Sequence, residues 1–249
     1  MHRSVKPHPA VTSQAGEASS SPAWLGSLLQ VSDSAYPTGS FAHSGGLEGM
    51  VQLSAVESVE DLETFVRSYV LNGLEWVELP LLHRAYLATQ ENDGDALERL
   101  DQLSVALRTP EELRLAASKT GRQRLELLAS VMDFDQLYPE AWQSLTPKIR
   151  QTQIPIVAGL EAALSGMPAD AAMQAFAFAS ISGVVSSAIK TLRLGQTAVQ
   201  RILHQASLEL PALTERSLLV EENDIGAFTP LLDIASARHK RAFSRLFLS

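Results

Sequence analysis

The chain has 249 residues, 20 Lys and Arg against 28 Asp and Glu, a net charge of -8, and no cysteine. That length buries a substantial core without external staples. The missing thiols exclude a disulfide framework and thiolate metal or nucleophile chemistry, and the acidic balance speaks against a nucleic-acid surface.

Residues 1 to 22 carry basic groups, then Ser, Ala and Gly, with no apolar run, so they read as a flexible tail and not as a secretory signal. His2 and His8 in that tail are too few and too widely spaced to chelate a metal. Residues 23 to 249 read as one helical domain. Within it, residues 32 to 48 stand out as Ser-Asp-Ser-Ala-Tyr-Pro-Thr-Gly-Ser-Phe-Ala-His-Ser-Gly-Gly-Leu-Glu. Pro37 and Gly39 mark a turn. Ser40 or Ser44 is placed to cap the next short helix, with Glu48 near its first turn, and Gly45-Gly46 admits a close neighbour.

Beyond that segment the apolar spacing is helical. Val59, Leu62, Phe65, Val66, Tyr69 and Val70 share a face behind a Ser58 cap with Asp61 three residues on. The pattern continues over 74 to 91 and 95 to 107, an antiparallel pair joined by Asn92-Asp93-Gly94. Thr109-Pro110-Glu111-Glu112 predicts a helix start with threonine as cap, proline at the first position and glutamate completing a capping box. Arg114, Ser118 and Arg122 then line one polar face, read first as solvated.

Helices are expected at about 154 to 165, 168 to 186 and 187 to 208. Ala171 to Ile189 is free of charge and almost long enough to span a membrane, but its serines and alanines suit a buried central helix better. Ala175, Ala179 and Gly183 give it a smooth stripe for close packing. Glu221-Glu222-Asn223-Asp224 reads as a mobile acidic loop. From 230 to 249 the spacing is helical, with Arg238, Arg241 and Arg245 on one stripe and Ala235, Ala242, Phe243 and Leu246 on another. Such a helix docks either on its own domain or on a partner.

The fold class is therefore all-α, a bundle of roughly ten helices. No catalytic constellation emerges. Ser187-Ala-Ile-Lys190 and Lys119-Thr120-Gly121 match β-lactamase motifs in the wrong order and inside helical patterns. The histidines at 43, 83, 204 and 239 show no metal-site spacing, and His83 and His204 read as core or surface residues. A helical-bundle enzyme whose metal-dependent site assembles from distant positions is the competing reading.

The order Ser-Asp-x-x-x-Pro-x-Gly-Ser-Phe-Ala-His-Ser-x-Gly-Leu-Glu from Ser32 resembles the N-terminal signature of the UreF family of urease accessory proteins. Arg114 to Arg122 is similar to that family's central R-x-x-S-x-x-x-G-R helix. Leu194-Gly195-Gln196-Thr197-Ala-Val-Gln200-Arg201 resembles its L-G-Q-T-x-x-Q-R element, and Asp233 to Ser249 its D-I-A-S-x-R-H ending with S-R-L-F-x-S. Departures are Lys190 and Arg193 ahead of Leu194, Gly45 where a larger residue is expected, and Tyr36.

The resemblance implies a cytoplasmic, non-catalytic, homodimeric scaffold. Such a scaffold joins a UreD-type protein and a UreG-type GTPase so that nickel enters apo-urease, holds no cofactor itself, leaves nickel and GTP to its partners, and touches neither membrane nor nucleic acid. It also implies partner contacts at Asp33, Pro37, Gly39, His43, Gly46, Glu48, Arg114, Ser118, Arg122, Lys190, Gly195, Gln196, Arg201, Arg238, His239, Arg245, Leu246 and Phe247. Residues 230 to 249 become the docking segment.

Overall fold

The structure, a computed structural model, describes residues 23 to 248; the tail at 1 to 22, with His2 and His8, and Ser249 lie outside them. Among the described residues there are helices and no strand, in the order α1 (Trp24–Ser32), α2 (Leu47–Gln52), α3 (Val59–Phe65), α4 (Leu79–Gln90), α5 (Gly94–Leu107), α6 (Glu111–Ser130), α7 (Phe134–Leu137), α8 (Pro139–Leu145), α9 (Ile154–Leu164), α10 (Ala169–Thr191), α11 (Gln196–Leu208), α12 (Leu210–Ser217) and α13 (Pro230–His239). The all-α expectation holds, with more and shorter segments than the roughly ten expected.

One rod organises the molecule. It starts at a Ser58 capping box, in which Ser58 accepts from the Asp61 amide and the Asp61 carboxylate from the Ser58 amide. It runs through two π-helical stretches, Val66–Leu71 and Leu74–Glu78, into α4. Pro80, near the start of α4, has no N–H for the Trp76 carbonyl four residues back. That carbonyl accepts the Gly226 amide instead, at 3.0 Å.

α4 separates two hydrophobic cores. Leu79 and Leu82 face a core filled by Phe65, Met173, Ile181, Val185 and Leu213. Leu81 and Ala85 face another, filled by Leu97, Leu100, Leu128, Phe134, Ile156 and Leu160. The crossing of α4 by α9 is close because residue 159 is glycine; a Cβ there would lie 2.5 Å from the Leu82 carbonyl oxygen.

Asn92 turns the chain with φ 54° and Asp93 caps α5 through the Ala96 amide, as the Asn-Asp-Gly signal predicts. Asp101 on α5, buried, accepts the Gln151 and Gln153 amides at 2.6 and 2.9 Å and so fixes the entry to α9. Burial pushes this carboxyl above its ordinary range, while those amides pull the other way.

Four expectations change. α10 continues to Thr191, so the break before α11 falls at residues 192 to 195, where Arg193 has φ 55°, and not at 186. Met173, Ala177, Ile181, Val185 and Ala188 bury one face of this 23-residue helix, which by length and composition alone is apolar enough to cross a membrane. Ala175 and Ala179 line a small cavity beside α1, whereas a Cβ on Gly183 would meet nothing within 4 Å. The acidic loop carries a 3-10 turn, Glu222–Asp224, with Arg99 3.1 Å from Glu222, and Arg84 donates to the Val220 carbonyl just ahead of it at 2.8 Å. Finally, the helix at the C-terminal end stops at His239, and residues 240 to 248 form a non-helical strap.

A candidate docking site at the C-terminal strap

The signature segment folds as a seat for the C-terminal end. Gly39 with φ 77° starts a single 3-10 turn, Ser40–Ala42, and Gly46 with φ 86° starts α2. The Ser44 hydroxyl accepts the Glu48 amide at 3.2 Å. A Cβ on Gly49 would lie 2.8 Å from the Ala235 carbonyl oxygen, so α13 rests directly on α2. The glycine that admits another backbone is therefore Gly49; Gly45 and Gly46 face the Val184 and Leu232 side chains.

Glu48, expected as a partner contact, is 5% exposed and fully engaged inside the protein. One carboxylate oxygen accepts the Leu246 amide at 2.8 Å, and the other accepts the Phe247 amide at 2.9 Å and faces His239 Nε2 at 3.0 Å. On the opposite edge of the imidazole, Nδ1 stands 2.8 Å from Glu112, whose second oxygen accepts from Arg245 at 2.8 Å. Each ring nitrogen thus faces its own carboxylate. The two ring nitrogens point apart, so the three residues do not share a metal ion, and among the described residues no group of three His, Cys, Asp or Glu is placed to hold one.

These bonds explain why the spacing of residues 240 to 248 misleads. Continuing α13 would give the Leu246 and Phe247 amides carbonyl partners four residues back; instead they go to Glu48, and the Leu248 amide goes to the Ala42 carbonyl at 2.8 Å. The arginine stripe is thereby split. Arg238 and Arg241 face solvent, while Arg245 turns toward Glu112. Phe247 is buried with the Lys190 ammonium 5.8 Å from its ring centroid, so the lysine that departs from the family pattern contacts the strap. Phe243 and Leu246 remain exposed.

The capping box predicted for Thr109 is absent. Pro110, with ψ 131°, precedes the first helical residue, Glu112 is committed to His239 and Arg245, and the Thr109 and Arg108 carbonyls accept from Arg114. Ser118 bonds the Gln151 carbonyl and Thr152 bonds the Ser118 carbonyl, because Gly121 lets the 152 backbone lie against α6. Of the polar line on α6, Arg122 alone stands exposed.

A cleft of about 310 Å³ opens beside the network, lined by His43, Glu111, Glu112, Leu115, Lys119, Lys240, Arg245 and Leu248. Burial, helped by Lys119, holds His43 below its ordinary value, and Lys240 holds Glu111 below the usual carboxylate range. The arrangement offers basic, acidic and apolar groups at its rim, and the residues lining it place no nucleophile beside a base. Sequence reasoning missed Glu112 and Lys119 as members of it; Glu112 was assigned to a local cap.

Other expected contacts lie elsewhere. Asp33 and Pro37 are exposed on the signature segment, where the Asp33 carboxylate accepts the Ala35 amide at 2.7 Å. Gly195, Gln196 and Arg201 are exposed at the start of α11, outside the network. Ser187, of the β-lactamase-like match, is buried on α10 and donates to the Val184 carbonyl.

The UreF family model matches residues 56 to 207. A urease accessory protein UreF from Azoarcus sp. is 33% identical over 226 residues, 89% of this chain and 94% of the relative. Its namesake from Chromohalobacter salexigens is 33% identical over 229 residues, 92% and 96% of the two chains, and that from Pseudomonas putida strain W619 is 32% identical over 223 residues, 89% and 96%.

Proposed function

The chain belongs to the UreF family, a family of accessory proteins and not of enzymes, and we propose that it serves urease assembly in the cytoplasm by binding alone. On this reading it joins a UreD-type protein to a UreG-type GTPase so that nickel reaches apo-urease. The nickel and GTP sites belong to those partners. No cofactor, membrane or nucleic acid takes part.

The observation that carries the reading is the two-sided C-terminal segment, made of the end of α13 and the strap. Its inner side, His239, Arg245 and Phe247, is spent on Glu48, Glu112 and Lys190. Its outer side keeps Arg238, Arg241, Phe243 and Leu246 exposed above those anchoring contacts. Exposed aromatic and arginine groups on a preorganised frame suit a protein interface. A homodimer through the outward face of α10, which carries exposed Phe178 and Ile189 and no charge between Asp170 and Lys190, accompanies this reading.

Reconstitution tests it. Apo-urease mixed with nickel, GTP and the UreD-type and UreG-type proteins gains urease activity when this protein is added; equal activation without it contradicts the reading.

A further inference from the structure

We propose that the small cavity between α1, α6, α9 and α10 is a binding site for one ordered water molecule, held by Glu161, Arg124 and Ser32. Glu161 is the sole charged residue of α9 and is 1% exposed. Its Oε2 pairs with Arg124 Nε, while its Oε1 is buried without a hydrogen-bond partner. A buried carboxylate oxygen left bare is strongly penalised.

The cavity has a volume of about 20 Å³ and is lined by Ser32, Arg124 and Glu161 together with apolar groups. That volume matches a single water, which requires two to four polar partners. The hydrogen-bond inventory closes. The Ser32 hydroxyl gives its proton to the Leu28 carbonyl at 2.6 Å and keeps its lone pairs to accept. Arg124 has N–H groups beyond the one at Nε. A water therefore donates to Glu161 Oε1 and to Ser32 Oγ, and accepts from the Arg124 guanidinium. A cation is excluded by that same guanidinium on the wall.

Tyr36 lies close by. Its hydroxyl faces the Met132 sulfur at 3.7 Å, and burial together with the Glu161 charge pushes it up to about 12, so it stays neutral. The water thus ties the last residue of α1, where the signature begins, to α6 and α9.

A crystal structure of the full chain at a resolution that shows ordered solvent tests this directly. The expected result is one density peak within hydrogen-bond distance of Glu161 Oε1 and of Ser32 or Arg124. A dry cavity, or Oε1 bonded directly to a protein group, overturns the proposal. A double-mutant cycle of Ser32→Ala and Glu161→Met provides a second readout, since these side chains share no direct bond. Coupling of about threefold or more in the unfolding equilibrium is expected, on the scale of one bridged hydrogen bond; additive effects overturn the proposal. Should Glu161→Met not fold, Glu161→Gln replaces it in the cycle.

Discussion

Glu48 and His239, 191 positions apart, meet at 3.0 Å inside the protein, and through that contact the signature segment and the C-terminal strap become one structure. Glu112 on the far edge of the imidazole and Arg245 beyond it extend the chain of contacts to the cleft. Two carboxylates hold the buried imidazole between them, and Arg245 reaches Glu112 from the exposed side, so removing any one of them takes a partner from its neighbour.

Glu48→Ala deletes three acceptor contacts and frees the Leu246 and Phe247 amides. The expected cost is about 3 to 5 kcal/mol, since hydrogen bonds to a carboxylate are worth about 1.5 to 3 kcal/mol each and two backbone amides lose their acceptor. Hydrogen exchange should show residues 244 to 248 losing protection before the rod at 59 to 90. Unchanged protection of the strap would place its anchor elsewhere.

Gly49→Ala should destabilise by about 1 to 3 kcal/mol, because the added methyl meets the Ala235 backbone and overpacked sites pay in displaced structure. Gly73→Ala is the matched control: it lies inside the rod with helical φ -63° and nothing within 4 Å of an added Cβ. It should gain about 0.5 to 1 kcal/mol from helix propensity. Denaturant unfolding of both variants gives the comparison.

His43 supplies a pH test. Its folded value lies below the ordinary 6.5 because of burial first and Lys119 second, with Glu112 opposing. Between that lowered value and 6.5 the unfolded chain binds more protons than the folded one, so stability from this group rises with pH and is complete above 6.5. Going from about pH 7.5 to about pH 5, the wild type should lose more stability than His43→Gln. Parallel pH profiles would remove His43 from the account.

Phe178→Asp tests the proposed dimer. The residue is exposed on the outward face of α10, while the core side of that helix is formed by Ala177 and Ile181. The variant should fold as the wild type does and sediment as a monomer where the wild type sediments as a dimer. A dimeric variant would move the contact to another face.

Local chemistry was legible in the sequence: the Ser58 box, the Asn-Asp-Gly turn and the helical periodicity depend on residues a few positions apart. The four family-like segments carried the identity for the same reason. What stayed hidden depends on distant partners. Glu112 looks like a capping residue until His239 is placed beside it, and residues 240 to 248 keep helical spacing although their amides go to Glu48. Ser118 and Arg114 look like a solvated face until the Gln151 carbonyl and the Arg108 carbonyl are seen to accept from them. One signal was available and unused: a lone glutamate in the otherwise apolar α9 implies a buried partner, which is Arg124.

The affinity of a UreD-type partner for a surface double variant tests the central claim most directly, because the C-terminal segment divides into an anchoring side and a presenting side. Truncating residues 238 to 249 would also remove buried His239 and Phe247, so substitutions on the outer side are the cleaner probe. Arg241→Glu combined with Phe243→Ala should leave unfolding unchanged and weaken binding by at least tenfold, about 1.4 kcal/mol. Wild-type affinity in that folded double variant would contradict the assignment of the strap as the docking element.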